Sequence, residues 1–310
     1  MTVVMKPCFS FLFSMPSRQA FLIALLATSL SAVFPLSSCS KSDTENKRAS
    51  TPPEEKIGDT KQTISHRYKH ESEKQLEPVT APLFNKQNVV SSARSKKAIK
   101  SVTPRLVRDL NKMGLHFGAP IFIRIFKEEK ELEVRLKKDE TFELFRTYQI
   151  AAISGGLGPK LKEGDRRTPE GFYFVPPSNM NPRSRFHLSF NIGYPNEYDR
   201  VHKRTGSAIM VHGGTFTIGC FPMTDPKIEE IYALADSALR NGQPFFRVHV
   251  FPFRMTSENM KRHENSKWIS FWNNLKQGYD IFESTLIPPE VSVENGKYVF
   301  TLRSSITRPG

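Results

Sequence analysis

Cysteine is scarce in this chain: Cys8, Cys39 and Cys220 are the only three in 310 residues. So few thiols exclude a disulfide-stapled scaffold and a cysteine-rich zinc site. The eight histidines are scattered, and none stands in a His-Glu-x-x-His pattern, so no metal centre is expected. Gly155, Gly156 and Gly158 do not open a helix, which argues against a dinucleotide or phosphate cradle, and no cofactor is expected. Zinc-finger and RNP-type motifs are missing too, so nucleic acid is not an expected partner. The net charge of +14 comes from Lys and Arg spread along the chain, a pattern that fits a solvated face as well as an anionic envelope polymer. Long apolar runs are also lacking. The most apolar, 21–34, falls short of the roughly 20 residues that a spanning helix needs.

That run does fit an export signal. Arg18 precedes it, and Leu36-Ser37-Ser38-Cys39 follows it with small residues before a cysteine, which resembles the bacterial lipobox. The expectation is a signal peptide over 1–38 and a lipid on Cys39 as the mature N-terminus. The protein would then be periplasmic and lipid-anchored, with Ser40 favouring the outer membrane. Residues 39–100 are polar, rich in Lys, Glu, Ser, Thr, Gln and Pro, and are expected to form a disordered tether. Residues 101–310 are then one folded domain. Export removes Cys8 and lipidation occupies Cys39, which leaves Cys220 as the single free thiol. A lone thiol outside the cytoplasm is open to oxidants, so a chemical role explains it better than packing does.

Cys220 belongs to the stretch IMVHGGTFTIGCFPMTD at 209–225, in which His212 stands eight positions ahead of it. Ile209 and Val211 alternate with Met210 and His212, so His212 projects from the end of a strand. Gly213 and Gly214 permit a turn, and 217–220 returns the chain toward the histidine. An imidazole beside a thiol takes its proton and leaves a nucleophilic thiolate. Cys220 is therefore the candidate nucleophile and His212 its base. Gly219 removes a side chain next to the sulfur, so a substrate carbonyl can approach the N–H groups of Gly219 and Cys220 as an oxyanion site. The alternative is an inert pair, because a buried cysteine is ordinarily a small apolar core residue and a strand histidine is ordinarily satisfied. Ahead of this stretch, Tyr194 and Arg204, with His187, are candidate substrate contacts.

Elsewhere the pattern is mostly β. Runs at 120–126, 131–136 and 142–153 predict a meander whose second strand has a solvated face, and 172–175, 185–194 and 243–255 predict further strands. Helices are predicted over 104–113, after a cap at Asp225, and from a cap at Ser257 to Gly278. Asn295-Gly296 predicts a closing hairpin. In the polar loop 163–171, Asp165, Arg167 and Glu170 are expected to pair with one another.

Three blocks in order, GDRRTPEGFYFV at 164–175, SFNIGYPNEYDR at 189–200 and IMVHGGTFTIGCFPMTD at 209–225, resemble the L,D-transpeptidase catalytic domain (YkuD-like), closest to its YafK-like branch. The resemblance covers about 105–300. It implies a mostly β fold, a sandwich or meander with peripheral α-helices, and an enzyme that remodels peptidoglycan. In that family a cysteine attacks the amide after meso-diaminopimelate in a donor stem peptide, releases the terminal D-alanine, and passes the acyl group to an amine or to water. By position the resemblance implies Cys220 as nucleophile, His212 as the activating histidine, and Gly213 as the residue whose carbonyl orients that ring. Thr217 matches the Ser/Thr three before the cysteine, and Gly219 the adjoining glycine. Ile218 and Pro222 depart from the pattern, standing where the broad family has a second histidine and an Arg or Asn. The implied partners are peptidoglycan stem peptides, an envelope protein as acyl acceptor, and the membrane through an N-terminal lipid. A hydrolase of the same linkage, including an amidase that releases a peptidoglycan-bound protein, and a non-catalytic wall-binding lipoprotein are the rival expectations.

Overall fold

The computed structural model describes residues 89–302. The expected signal peptide, the lipidation site Cys39 and residues 39–88 of the expected tether lie outside them. Order begins earlier than composition implies. Helix α1 spans Ala93–Asn111, so the tether's last residues, 93–100, are helical rather than disordered, and the helix starts well before 104. Ser92 and Ser95 form a reciprocal cap at its start. Ser95, Ala98, Val102, Leu106 and Leu110 make a buried stripe that packs on α3 (Asp225–Arg240). Two members of that stripe are barely apolar, which is why its periodicity is faint. Pro104 sits inside the helix and forfeits only the bond to the carbonyl of Lys100, an exposed residue.

Strands β1 (Ile121–Phe126), β2 (Glu131–Lys138) and β3 (Thr141–Gln149) form the expected antiparallel meander. With β4 (Gly171–Val175) and β9 (Phe246–Phe251) they make a five-stranded sheet in the order β3-β2-β1-β9-β4, in which β9 runs parallel to β1. All of β1 is buried, with its isoleucines in the larger core and Phe126 in the smaller one, so it reads as a continuous apolar run. The solvated face expected on β2 is covered instead. Glu133 is 2% exposed and accepts from Arg124, Arg135 and Arg254.

A second sheet joins β5 (Met180–Asn181), β6 (Ser189–Asn191), β7 (Met210–His212) and β8 (Phe221–Pro222) in chain order; β7 and β8 are parallel and the other pairs antiparallel. Only the centre of the run 185–194 is strand. Met180, Phe190, Val211 and Phe221 turn one face of this sheet into the larger core, where they meet α3 and the five-stranded sheet. The smaller core lies under α5 (Ile269–Thr285) and the hairpin β10 (Glu290–Glu294) and β11 (Lys297–Thr301). Asn295 and Gly296 form the hairpin tip with φ of 49° and 72°. Helices α2 (Glu197–Val201) and α4 (Ser257–Arg262) are short. Thr256, not Ser257, caps α4, and Gly278 does not end a helix but lies inside α5. A Cβ there would collide with Phe300 and lie 2.8 Å from Phe172, so this glycine serves close packing. The architecture is mostly β with peripheral helices. Among the described residues no helix is long and apolar enough to cross a membrane.

The loop 163–171 is held mainly by partners outside itself, and the side chains of Asp165, Arg167 and Glu170 do not pair with one another. Asp165 accepts from the backbone of Leu161, Lys162 and Arg167 and from Lys160 Nζ. Against the upward push of burial, these donors hold its carboxyl at about 2. Arg167 donates to the Leu157 carbonyl. Glu170 accepts from Lys127, the Gly158 N–H and Trp272 Nε1, and the side chains of Lys127 and Glu170 are both 0% exposed. Glu170→Gln leaves the Lys127 ammonium without its counter-charge in a dry site. Urea unfolding is expected to show a loss of about 3–5 kcal/mol, against roughly 1 kcal/mol for Arg167→Ala.

Candidate active site

The register of the small sheet sets β7, which ends in His212, beside the segment that follows Cys220. Asn181 opposes Ser189, Ser189 opposes His212, and His212 opposes Pro222, while Asn191 opposes Met210. Side chains alternate along each strand, so these residues point away from the core row. Cys220 immediately precedes β8, and its Sγ lies on the N–H of Met210, two residues before His212 in β7.

His212 is 2% exposed. Its Nδ1–H donates to the Gly213 carbonyl at 2.5 Å, which leaves Nε2 as the nitrogen able to take a proton. The Phe186 ring lies 4.6 Å from the imidazole, tilted by 32°. The Gly213 N–H donates to the carbonyls of Phe186 and Leu188, and the Gly214 N–H donates to Asp225 Oδ1. Asp225, expected as a helix cap, is therefore the pin of this turn; Thr224 precedes α3 without a side-chain cap. A Cβ on Gly213 would collide with Asp225 Oδ1 and lie 2.8 Å from the Phe186 carbonyl oxygen, so only glycine fits.

Cys220 is half-buried. Its Sγ accepts from the Met210 N–H at 3.4 Å and reaches the Ala208 carbonyl at 3.7 Å, and the imidazole is not among its hydrogen-bond partners. Burial pushes the thiol up, against the Met210 N–H and the charge of Lys160. Burial likewise pushes the imidazole down, against the Gly213 carbonyl. Both shifts favour the neutral forms at rest.

Thr217 Oγ1 donates to the Cys220 carbonyl at 2.8 Å and accepts from the Gly219 N–H at 3.0 Å. This corrects the expected oxyanion site. The Gly219 N–H is already engaged, whereas the Cys220 N–H meets no acceptor among the described residues. Gly219 itself takes φ 142°, and a Cβ there would sit 3.1 Å from the Arg167 carbonyl oxygen, so the loop 163–171 closes directly over it.

Two expected substrate contacts turn out to be braces. Tyr194 is 4% exposed, and its hydroxyl bonds the carbonyls of Lys160 and Thr205. Arg204 is 8% exposed, pairs with Asp199 at 2.8 Å, and lies over the rings of Tyr198 and Phe271. His187 bonds Glu229 at 2.8 Å. Phe186, Lys160 and Asp225 were not legible as site residues, since nothing in their local pattern separates them from ordinary loop side chains. Among the described residues no three of His, Cys, Asp and Glu gather where a metal could bind.

Gly213→Ala is expected to slow iodoacetamide alkylation of Cys220 by roughly tenfold or more, because the ring it orients is displaced. Tyr194→Phe should leave that rate unchanged and lower the unfolding free energy by about 1–2 kcal/mol, as the one hydroxyl proton shared by two carbonyls is lost.

Residues 121–250 match the L,D-transpeptidase catalytic domain family, YkuD. A protein of Escherichia coli (strain K12), provisionally named L,D-transpeptidase YafK, is 49% identical over 182 residues, 59% of this chain and 74% of that protein. Among solved structures, a point mutant of the helical cell shape determining protein Pgp2 from Campylobacter jejuni aligns at 20% identity with a TM-score of 0.36. That alignment covers 62% of this chain and 65% of the other, just under two thirds of its length. Bd1075 of Bdellovibrio bacteriovorus aligns at 23% identity with a TM-score of 0.34, over 53% of this chain and 60% of that one. On the strength of the domain match and the extended identity to the Escherichia coli relative, the chain belongs to the L,D-transpeptidase (YkuD) family.

Proposed function

We propose that this protein is a peptidoglycan-remodelling cysteine acyltransferase that forms a thioester between Cys220 and a stem-peptide donor and passes the acyl group to an amine of another stem or of an envelope protein. The observation that carries the reading is the Cys220 thiol held on the Met210 N–H, two residues before His212 in β7, with Nδ1 of the imidazole fixed on the Gly213 carbonyl. Nε2 takes the proton of Sγ, and the thiolate attacks the donor carbonyl. The Cys220 N–H is the group left to hold the oxyanion. The imidazolium returns its proton to the departing amine, which leaves the thioester, and an incoming amine then repeats the steps in reverse order.

Water as the acceptor makes the same site a hydrolase. Ile218, 61% exposed, and Pro222 favour that second reading, because they put apolar groups where the broad family carries groups able to hold an amine. A lipid on Cys39 would keep the domain in the periplasm, tethered to the outer membrane; the support for this is the lipobox-like sequence alone.

Incubation with muropeptide donors or a carbapenem is expected to add the acyl mass to Cys220, and Cys220→Ala to abolish the adduct and lower turnover by roughly a thousandfold or more. Adding an amine acceptor should divert product from trimmed to linked stems if transfer prevails. An unchanged mass with every donor, together with wall binding that survives Cys220→Ala, would leave only a non-catalytic wall-binding lipoprotein.

A further inference from the structure

On the face that carries His212, one buried side chain has nothing to bond. Ser189 lies directly opposite His212 in β6. The neighbouring bonds, Gly213 N–H to the Leu188 carbonyl and Ile192 N–H to the Ile209 carbonyl, make this the non-hydrogen-bonded kind of antiparallel pair. Facing side chains come closest in such a pair, with Cβ atoms about 4.5–5.5 Å apart. Ser189 is 1% exposed, and its Oγ meets no partner among the described residues. A hydroxyl buried in this way costs stability that an alanine would not, so packing does not account for it.

We propose that Ser189 is a positioning residue for His212: its hydroxyl is idle in the resting site and turns its oxygen to the ring once the imidazole has taken the Cys220 proton. The inference rests on the thiol and imidazole chemistry proposed above and adds no bond change to it, since the proton still moves from Sγ to Nε2. Burial opposes both charges of that ion pair, and the Gly213 carbonyl is the one group found to favour the cation. The titratable neighbours do not supply the rest. His187 and Glu229 are engaged with each other, Asp225 with the Gly214 N–H, and Lys160 acts on Cys220 rather than on the ring. Cys220 is the proton donor itself. Ser189 is the polar side chain left directly opposite the imidazole.

The test is the rate of Cys220 alkylation by iodoacetamide as a function of pH, read by peptide mass spectrometry on the full chain. Ser189→Ala is expected to react roughly tenfold more slowly at neutral pH, where the imidazole must take the proton, with the gap closing at alkaline pH, where hydroxide takes it. Its unfolding midpoint should be unchanged or raised, and Ser189→Thr, which keeps the hydroxyl, should react like the parent chain. A Ser189→Ala profile that matches the parent at every pH overturns the inference. So does one slowed equally at every pH with a lowered unfolding midpoint, which would mark ordinary packing. Alkylation needs no donor, so the result stands apart from the acyl-adduct test: a missing adduct counts against the proposed function, and a flat comparison here counts against Ser189 alone.

Discussion

The site depends on strand alternation in the four-stranded sheet. Side chains along a strand repeat every second residue, so a slip of one position in β7 would turn His212 into the core. What pins the register is the opposite face. Met180, Phe190, Val211 and Phe221 are each 4% exposed or less, and exposing that row to seat the other would be prohibitive. β8 is only two residues long, and its neighbours supply what length does not. The Ala151 N–H bonds the Pro222 carbonyl, the Met223 N–H bonds the His212 carbonyl, and Thr217 braces the Cys220 carbonyl from the preceding loop. Apolar packing on one side thus fixes the chemistry on the other.

The same packing makes the chemistry harder. Burial drives thiol and imidazole toward their neutral forms, so the reactive pair is formed only when it is used. A neutral thiol is also the less easily oxidised form, which suits a residue with no second thiol beside it in the described structure. The charged groups around the site do something different. Lys127 with Glu170, Lys160 with Asp165, and Arg204 with Asp199 hold the loops 154–171 and 194–206 in place, each through buried or nearly buried pairs with full complements of donors. They set where the walls of the site stand, and of these only Lys160 reaches the thiol electrostatically.

Much of this was legible in the sequence, for identifiable reasons. Cys220, His212 and the glycine between strand and turn stand out as candidates because a cysteine eight residues after a histidine across a Gly-Gly turn has few structural explanations. The meander and the hairpin were legible because alternation and Asn-Gly are local signals. Tyr194 and Arg204 misled, since an aromatic and an arginine in a polar loop look like contacts until Asp199, Lys160 and Thr205 are seen to claim them. The oxyanion site misled in the same way, because only the folded loop shows Thr217 occupying the Gly219 N–H. Ser189 left no trace at all: a serine in a strand is unremarkable until the register sets it against the histidine. Gly278 looks like a helix stop because its partners, Phe172 and Phe300, come from distant strands.

The proposed chemistry turns on removal of the Cys220 proton by His212. Its most direct test is the single-turnover rate of acyl-enzyme formation in His212→Asn, measured across pH beside the parent chain. The account predicts a rate lower by about a hundredfold to ten-thousandfold near neutrality, and loss of the acid limb that the imidazole imposes. An unchanged rate with the same acid limb would contradict it.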